Sequence, residues 1–259
     1  MLELYHNDMS VCAQKVRLAL AEKGLSYTGH HMNLRSGEQK KPDYVKLNPK
    51  GVVPTLVHDG FVVCESVIIN EYIEDAFEGT ALMPGNAQGR ARVRHWTKQI
   101  DDSIFGATAT VSVSVAFHHQ YTPELIEEQV RFRGPSYRQM VEAFRKGVDN
   151  PAFPAAIRRM DKMLGDMDKA LEDGPWLLGQ QFTLADVAYA SYVTRLDHLK
   201  FLGMLDHRPR AAGWYERMRS RKTYQEALAA WFNPKYLPLM EEKGNEAWPR
   251  VKALLAAAD

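Results

Sequence analysis

A chain of 259 residues is long enough for one large domain or two ordinary ones, and 45% hydrophobic with 25% charged residues is the composition of a globular protein. A formal net charge of +1 gives no field that would draw nucleic acid or an anionic membrane. No apolar run approaches the roughly 20 residues of a membrane span, the N-terminus lacks a signal-peptide pattern, and two cysteines are too few for a disulfide framework, so a reducing cytoplasm is the expected compartment.

In chain order, Leu2 to Tyr5 reads as a strand. The polar turn Asn7-Asp8-Met9-Ser10 follows, then a helix marked by Ala13, Val16 and Leu20 and ended by Gly24. Tyr27 to Met32 reads as a second strand. The polar segment Asn33 to Lys41 leads to Pro42–Leu47, a short helix with proline at its first position. Asn48-Pro49-Lys50-Gly51 marks turns. Thr55 to Val57 and Phe61 to Cys64 flank Asp59-Gly60, a two-residue hairpin signal. Ile69, Tyr72, Ile73 and Ala76 then share one helical face. The stretch from Phe77 to Asn86 is turn-rich and reads as a linker. Beyond it, period-2 alternation is almost absent. One long helix is expected from about Gln88 to His119, although Thr108 to Val115 is rich in poor helix formers. Residues 121–150 are charged and broken at Gly134-Pro135. Phe153 to Asp173 is amphipathic through Ile157, Met160, Leu164, Met167 and Leu171. Thr183-Leu184-Ala185-Asp186 has the form of a capping box, with Phe182 and Val187 placed as a staple. Ala211–Arg221 and Thr223–Phe232 read as two further helices.

Ser10 and Cys12 therefore sit at a helix N-terminus, where unpaired N–H groups and the helix dipole favour a negative charge such as a thiolate. Ser10 as a plain cap and Cys12 as a small buried residue is an equally good reading of these residues alone. The adjacent pairs His30-His31 and His118-His119 point to different sides of their elements, and no metal site is expected.

Together, Ser10-Val11-Cys12 before Val16-Arg17, Asn48-Pro49-Lys50-Gly51-Val52-Val53-Pro54-Thr55-Leu56, Glu65-Ser66, and Phe182-Thr183-Leu184-Ala185-Asp186 resemble a cytosolic glutathione transferase. The resemblance spans nearly the whole chain. Its look is that of zeta-like bacterial members, the chlorohydroquinone reductive dehalogenases and the lignin β-etherases. It implies an α/β thioredoxin-like domain over residues 1–78 and an all-α helical domain over 88–259 that takes the acceptor substrate. It also implies glutathione as cosubstrate. Val53 before a cis Pro54 would pair with the peptide backbone, and Ser66 with the helix N-terminus would take the γ-glutamyl carboxylate. Glu65 would take the amine. Lys41, or else Lys40 or Lys50, would meet the glycyl carboxylate. Asp101, or Asp102, would be offered to a neighbouring subunit's glutathione.

The resemblance assigns the chemistry to Ser10, as a hydroxyl donor to the glutathione thiolate, or to Cys12, as a second thiol that resolves a glutathionyl intermediate. The expected activity is thiolate attack on an electrophilic aromatic small molecule, with β-aryl ether cleavage as one form. Reductive dehalogenation or thiol reduction through Cys12, and a non-catalytic glutathione-binding subunit, are the alternatives. The expected assembly is a homodimer, or a heterodimer with a related chain. Ala107, Val111, Val115 and His119 form one stripe of the first long helix, and Trp231, Phe232 and Tyr236 are aromatic. These are candidates for the acceptor pocket, although such a stripe is more often helix-packing core.

Overall fold

Alternation in Leu2–His6 sends Leu4 and His6 inward and makes the first strand, β1, in the computed structural model, which describes residues 1–257. The last two residues of the segment expected to be helical, 258–259, lie outside the described residues. Helix α1, Val11–Glu22, starts at Ser10, whose hydroxyl oxygen accepts the Ala13 N–H at 3.3 Å. It ends in a Schellman turn: Leu25 N–H reaches the Leu20 carbonyl, Gly24 N–H reaches Ala21, and Gly24 takes φ +68°. β2, Thr28–His31, lies at one edge; α2, Pro42–Leu47, follows. β3, Thr55–His58, and β4, Phe61–Cys64, close around Asp59-Gly60, both at positive φ as a hairpin turn of this length requires. Helix α3 is Ser66–Ala76.

The four-stranded sheet has the order β2-β1-β3-β4. β1 runs parallel to β2, with Leu4 opposite Gly29, and antiparallel to β3, with Tyr5 opposite Thr55. β3 and β4 are antiparallel, with Thr55 opposite Cys64. The expected strand–helix–strand–helix–strand–strand–helix order is the one found.

From Ala87 the chain is mostly helical, apart from connections such as 174–183, where Trp176 bridges Gly179 and Leu178 bridges Gln181. The run expected as one helix comprises α4, Ala87–Gln99, a π-helical turn over Ile100–Ile104, α5, Phe105–Ser112, and a second π turn over Val113–Phe117. At the first π turn Ser103 Oγ donates back to the Gln99 carbonyl, and Arg159 Nε donates to Ser103 Oγ at 2.7 Å, so side chains hold the widened turn. Residues 121–150 fold as α6, Pro123–Arg133, capped by Thr122, and α7, Arg138–Phe144. Ile126, Val141 and Phe144 form their own small core, with Val113, Tyr121, Val130 and Tyr137 packed against it.

α8, Phe153–Ala170, buries Ile157, Met160, Leu164 and Met167 as their spacing predicts. Burial of such side chains contributes about 1.5–3 kcal/mol each. α9 is Leu184–His198, α10 Pro209–Arg219 and α11 Lys222–Ala227. The last stops short of the expected Phe232 because Ala229–Trp231 winds as a 3-10 turn. α12, Tyr236–Ala256, has no counterpart in the sequence reading. Its Gly244 and Pro249 resemble breakers, yet Gly244 is needed there: a Cβ would stand 1.9 Å from the Leu199 carbonyl oxygen.

By contacts the chain forms two compact units. One comprises Met1–Thr97, Ala170–Val193 and Gly213–Asn233, and the other Lys98–Lys169, Thr194–Ala212 and Pro234–Asp259. In the first unit the capping box at α9 is a buried polar node. Asp186, fully buried, accepts from Thr183 N–H at 3.0 Å, Leu177 N–H at 2.9 Å and Trp214 Nε1–H at 2.8 Å. Burial pushes its carboxyl up to about 6, against these donors, which pull it down.

Asp186→Ala orphans three buried N–H groups, and a loss of about 3 kcal/mol is expected in urea unfolding. The folded pKa is raised above the ordinary 3.8, so the folded state binds the proton more tightly than the unfolded state does. The stability this group contributes is complete below pH 3.8 and is lost as pH climbs through about 6. The unfolding free energy of the wild type minus that of Asp186→Asn should therefore fall between these limits. A flat difference would contradict this account.

Candidate functional site

Strand polarity gathers the expected residues. β1 ends where β3 begins and β4 ends, because both neighbouring pairs are antiparallel. β2, parallel to β1, ends there too. So the loop carrying Ser10, the Val53–Pro54 segment, Glu65–Ser66 and the chain leading to Lys41 all leave one end of the sheet.

Ser10 is the N-cap of α1, and the cap bond uses only an oxygen lone pair, so its O–H remains able to donate. The cap reading of Ser10 is the one observed, and it leaves the hydroxyl proton uncommitted. Cys12, in the first turn of α1, is a half-buried free thiol. The loop before them is fixed from several sides. Met9 N–H bonds the carboxylate of Asp8 at 2.8 Å, Asn7 Nδ2 bonds the Met32 carbonyl at 3.0 Å, and Asn233 Nδ2 bonds Asp8 at 2.7 Å.

Beneath the loop lies Arg17, 1% exposed. Its guanidinium donates to the carbonyls of Asn7 at 2.9 Å, Asp8 at 3.1 Å and Ala227 at 2.8 Å, and its Nη1 lies 3.3 Å from His6 Nδ1. Trp231 covers it at 5.0 Å. Burial lowers the Arg17 pKa to about 10, so the cation persists at neutral pH. Burial, reinforced by Arg17, pushes His6 down to about 3, so this imidazole is neutral and acts as an acceptor for Arg17.

The Val53–Pro54 peptide is cis, as the motif predicts. Among the described residues, neither the N–H nor the C=O of Val53 makes a hydrogen bond. The segment is held from its other side. Tyr44 donates its single hydroxyl proton to the Val52 carbonyl at 2.6 Å, which leaves the Thr55 hydroxyl, 2.8 Å away, to donate to Tyr44. Asn48 Nδ2 also reaches Val52 O at 3.0 Å and Thr55 Oγ1 at 3.1 Å. Tyr44, Val53 and Met32 form a small buried cluster with Tyr5, Leu34 and Leu47 against it. Burial raises the Tyr44 phenol to about 12, keeping it a donor.

Glu65 occupies φ +69°, an uncommon backbone state for a side chain with Cβ, immediately before α3. Its carboxylate meets Lys50 Nζ at 2.6 Å. Ser66, 6% exposed, begins α3, and its hydroxyl makes no hydrogen bond among the described residues. Unpaired backbone acceptor and donor at Val53, a free hydroxyl at a helix N-terminus, and a carboxylate beside them suit a short zwitterionic peptide.

Lys41 is exposed at the start of α2, and Lys50 meets Glu65. Asp101 stands exposed in the second unit, on the first π turn, beside Asp102, which pairs with Lys98. Ala107, Val111 and Val115 are 8%, 1% and 3% exposed, so these three are helix-packing core, while His119, the fourth of the stripe, is exposed. Trp231 covers Arg17, while Tyr236 packs edge-on to Phe117 within the second unit. A cleft of about 510 Å³ lined by Arg92, His95, Trp96, Asp173 and Leu177 includes none of the candidate residues. Sequence reasoning missed the parts played by His6, Arg17, Tyr44, Asn48 and Asn233. Arg17 and Asn233 act through partners more than 200 residues away, and His6, Tyr44 and Asn48 through side-chain bonds to nearby residues that no periodicity reveals.

A cis-proline loop, a helix N-terminus and a strand-to-helix turn at one sheet end are the layout of a glutathione-binding enzyme. The glutathione S-transferase N-terminal and C-terminal domain models match residues 9–76 and 150–217, and the chain belongs to the glutathione S-transferase family. Glutathione is accordingly its cosubstrate. Among its relatives is the tetrachloro-p-hydroquinone reductive dehalogenase of Sphingobium chlorophenolicum, 27% identical over 87% of this chain and 95% of that one. Protein LigF of Sphingobium sp. (strain NBRC 103272 / SYK-6) is 27% identical over 87% of this chain and 92% of its own. The crystal structure of β-etherase LigF superposes with a TM-score of 0.78, covering 88% of this chain and 99% of that one at 26% identity. A Burkholderia graminis glutathione transferase, solved with two glutathione molecules per subunit, shares the fold at TM-score 0.69 and 22% identity. The family expected from the sequence is the family found.

Tyr44→Phe frees the Val52 carbonyl from one of its two side-chain donors. Glutathione affinity, measured by calorimetry, should fall about fivefold, with at most about 1.5 kcal/mol lost in stability. Unchanged affinity would show that this network does not set the Val53 backbone.

Proposed function

We propose that this enzyme transfers glutathione to an electrophilic aromatic small molecule, a β-aryl ether being the acceptor best supported. The observation that carries the reading is the convergence of Ser10, the unbonded Val53 backbone and Glu65–Ser66 at one end of the sheet. When bound, glutathione supplies the nucleophilic thiolate. Val53 N–H and C=O would pair with the peptide backbone, Glu65 would receive its ammonium, and Ser66 with the α3 N-terminus its α-carboxylate. An ordinary thiol, with a pKa near 8.5, is only a few per cent ionised at neutral pH. The Ser10 O–H, donated to that sulfur, and the positive end of α1 both favour the charged form. The substrate class is supported by the likeness to LigF and to the hydroquinone dehalogenase. A cytoplasmic homodimer is the proposed state. The large apolar side chains Phe61 and Ile68, 62% and 58% exposed on β4 and α3, favour self-association.

A second reading follows from Cys12, a half-buried thiol two residues beyond Ser10 and in the same helix end. There Cys12 would act as the resolving sulfur in reductive removal of halide.

Ser10→Ala should lower kcat/KM about 100-fold and move the ascending, acid-side limb of the pH–rate profile to higher pH, while Cys12→Ala should retain activity. The assay offers glutathione with an aryl ether, a chlorinated hydroquinone and a generic aryl halide. Product from the aryl ether in the Cys12→Ala variant supports the transferase; activity lost only in Cys12→Ala, on the chlorinated hydroquinone, replaces it by the reductase.

A further inference from the structure

Met9, the residue before Ser10, is held through both its N–H and its sulfur, and both holds lead to Asn233. The Asp8 carboxylate accepts Met9 N–H at 2.8 Å on Oδ1 and Asn233 Nδ2–H at 2.7 Å on Oδ2. Asn233 N–H reaches back to Met9 Sδ at 3.5 Å. Asp8 also meets His31 at the end of β2, whose Nε2 lies 3.4 Å from its N–H and 3.7 Å from its carboxylate, and its carbonyl accepts Arg17 of α1. Asn233 is anchored in turn. It follows the 3-10 turn Ala229–Trp231, where Trp231 N–H bonds the Leu228 carbonyl at 3.0 Å and Phe232 N–H that of Ala229 at 3.1 Å. Upstream, the Ala227 carbonyl accepts Arg17 Nε–H at 2.8 Å, and Trp231 lies over the same guanidinium. The stretch 227–233 is therefore fastened to the β1–α1 connection at one end through Arg17 and at the other through Asp8.

From this arrangement we infer that Asn233 is a positioning residue for Ser10, acting through Asp8 and Met9. The inference rests on the transferase reading above and deepens it. A hydrogen bond from a hydroxyl weakens steeply as its geometry is lost. Helix α1 fixes the backbone after Ser10, and the Asp8–Asn233 link fixes it before. The link also governs charge. Asp8 is an anion two residues before Ser10, and a like charge turned toward a thiolate disfavours it. Asn233 holds that carboxylate among donors instead. Loss of the amide therefore acts twice in one direction: it loosens the Ser10 donor and frees the Asp8 charge, and both raise the pKa of the bound thiol. The groups assigned to holding the peptide, at Val53, Glu65 and Ser66, sit on other segments.

The test follows the ultraviolet absorbance of enzyme-bound glutathione thiolate against pH. It compares full-length wild type, Asn233→Leu, and the double variant Asp8→Asn with Asn233→Asp, which exchanges acceptor and donor. Asn233→Leu should raise the thiol pKa by about one unit, and kcat on the acid side of that titration should fall about tenfold. The exchanged pair should recover most of the shift. S-methylglutathione, which has no ionisable thiol, should bind all three proteins equally in calorimetry. A purely structural role would instead weaken S-methylglutathione binding and leave the titration in place. The inference is overturned by that result, by a titration of Asn233→Leu that matches the wild type, or by an exchanged pair no better than Asn233→Leu. If the wild type itself shows no thiolate that depends on Ser10, the transferase reading falls, and this inference with it.

Discussion

Everything that the glutathione chemistry requires depends on strand polarity. If β3 ran parallel to β1, Pro54 would enter the sheet at the end opposite His6, and the Ser10 loop and the Val53 backbone would be separated by the length of a strand. The antiparallel pairing of β1 with β3, and of β3 with β4, sends the end of one strand to the start of the next. The register is held because each strand's buried side chains, such as Leu4 and Leu56, would turn to the other face on a one-residue slip.

Topology places these loops, and buried polar groups then give them shape. Arg17 closes the carbonyls of Asn7 and Asp8, while Tyr44 and Asn48 close that of Val52. In both cases a side chain satisfies the backbone from inside the protein and leaves the outward groups available. This is preorganisation: the hydrogen-bonding groups a ligand needs are aligned before it arrives. A buried cation with one-sided access to carbonyls is costly to strip of water. Three carbonyls, the neutral His6 ring and the face of Trp231 together offset that cost.

The N-terminal half and the start of α9 were largely legible because their signals are local. Asp59-Gly60 prescribes a hairpin, Gly24 a helix stop, and Thr183 with Asp186 a capping box, and each is present with the geometry its chemistry demands. What escaped was long-range or non-periodic. The parts played by Arg17 and Asn233 depend on partners more than 200 residues away in one case each, Ala227 and Asp8. Glu65 looks like an ordinary cap residue until its positive φ and its lysine are seen. The stripe of Ala107, Val111 and Val115 was ambiguous because core and pocket wall have the same apolar spacing; burial resolves it as core. Helix α12 was hidden by Gly244 and Pro249, residues that read as breakers although tertiary packing accepts them.

The two π turns give the first long helix a reserve of one residue each. Each turn accommodates one residue more than an α-turn, and one residue corresponds to about 100° of rotation around a helix axis. A single deletion inside Ile100–Ile104 would be absorbed by collapse to α-helix, leaving every downstream side chain on the face it already occupies. The same deletion in the plain α-helical stretch of α5 would turn the residues after it by that angle and carry Val111 and Val115 out of the core. Relatives of this chain that differ by one residue at the π turn would then keep the same buried face of α5.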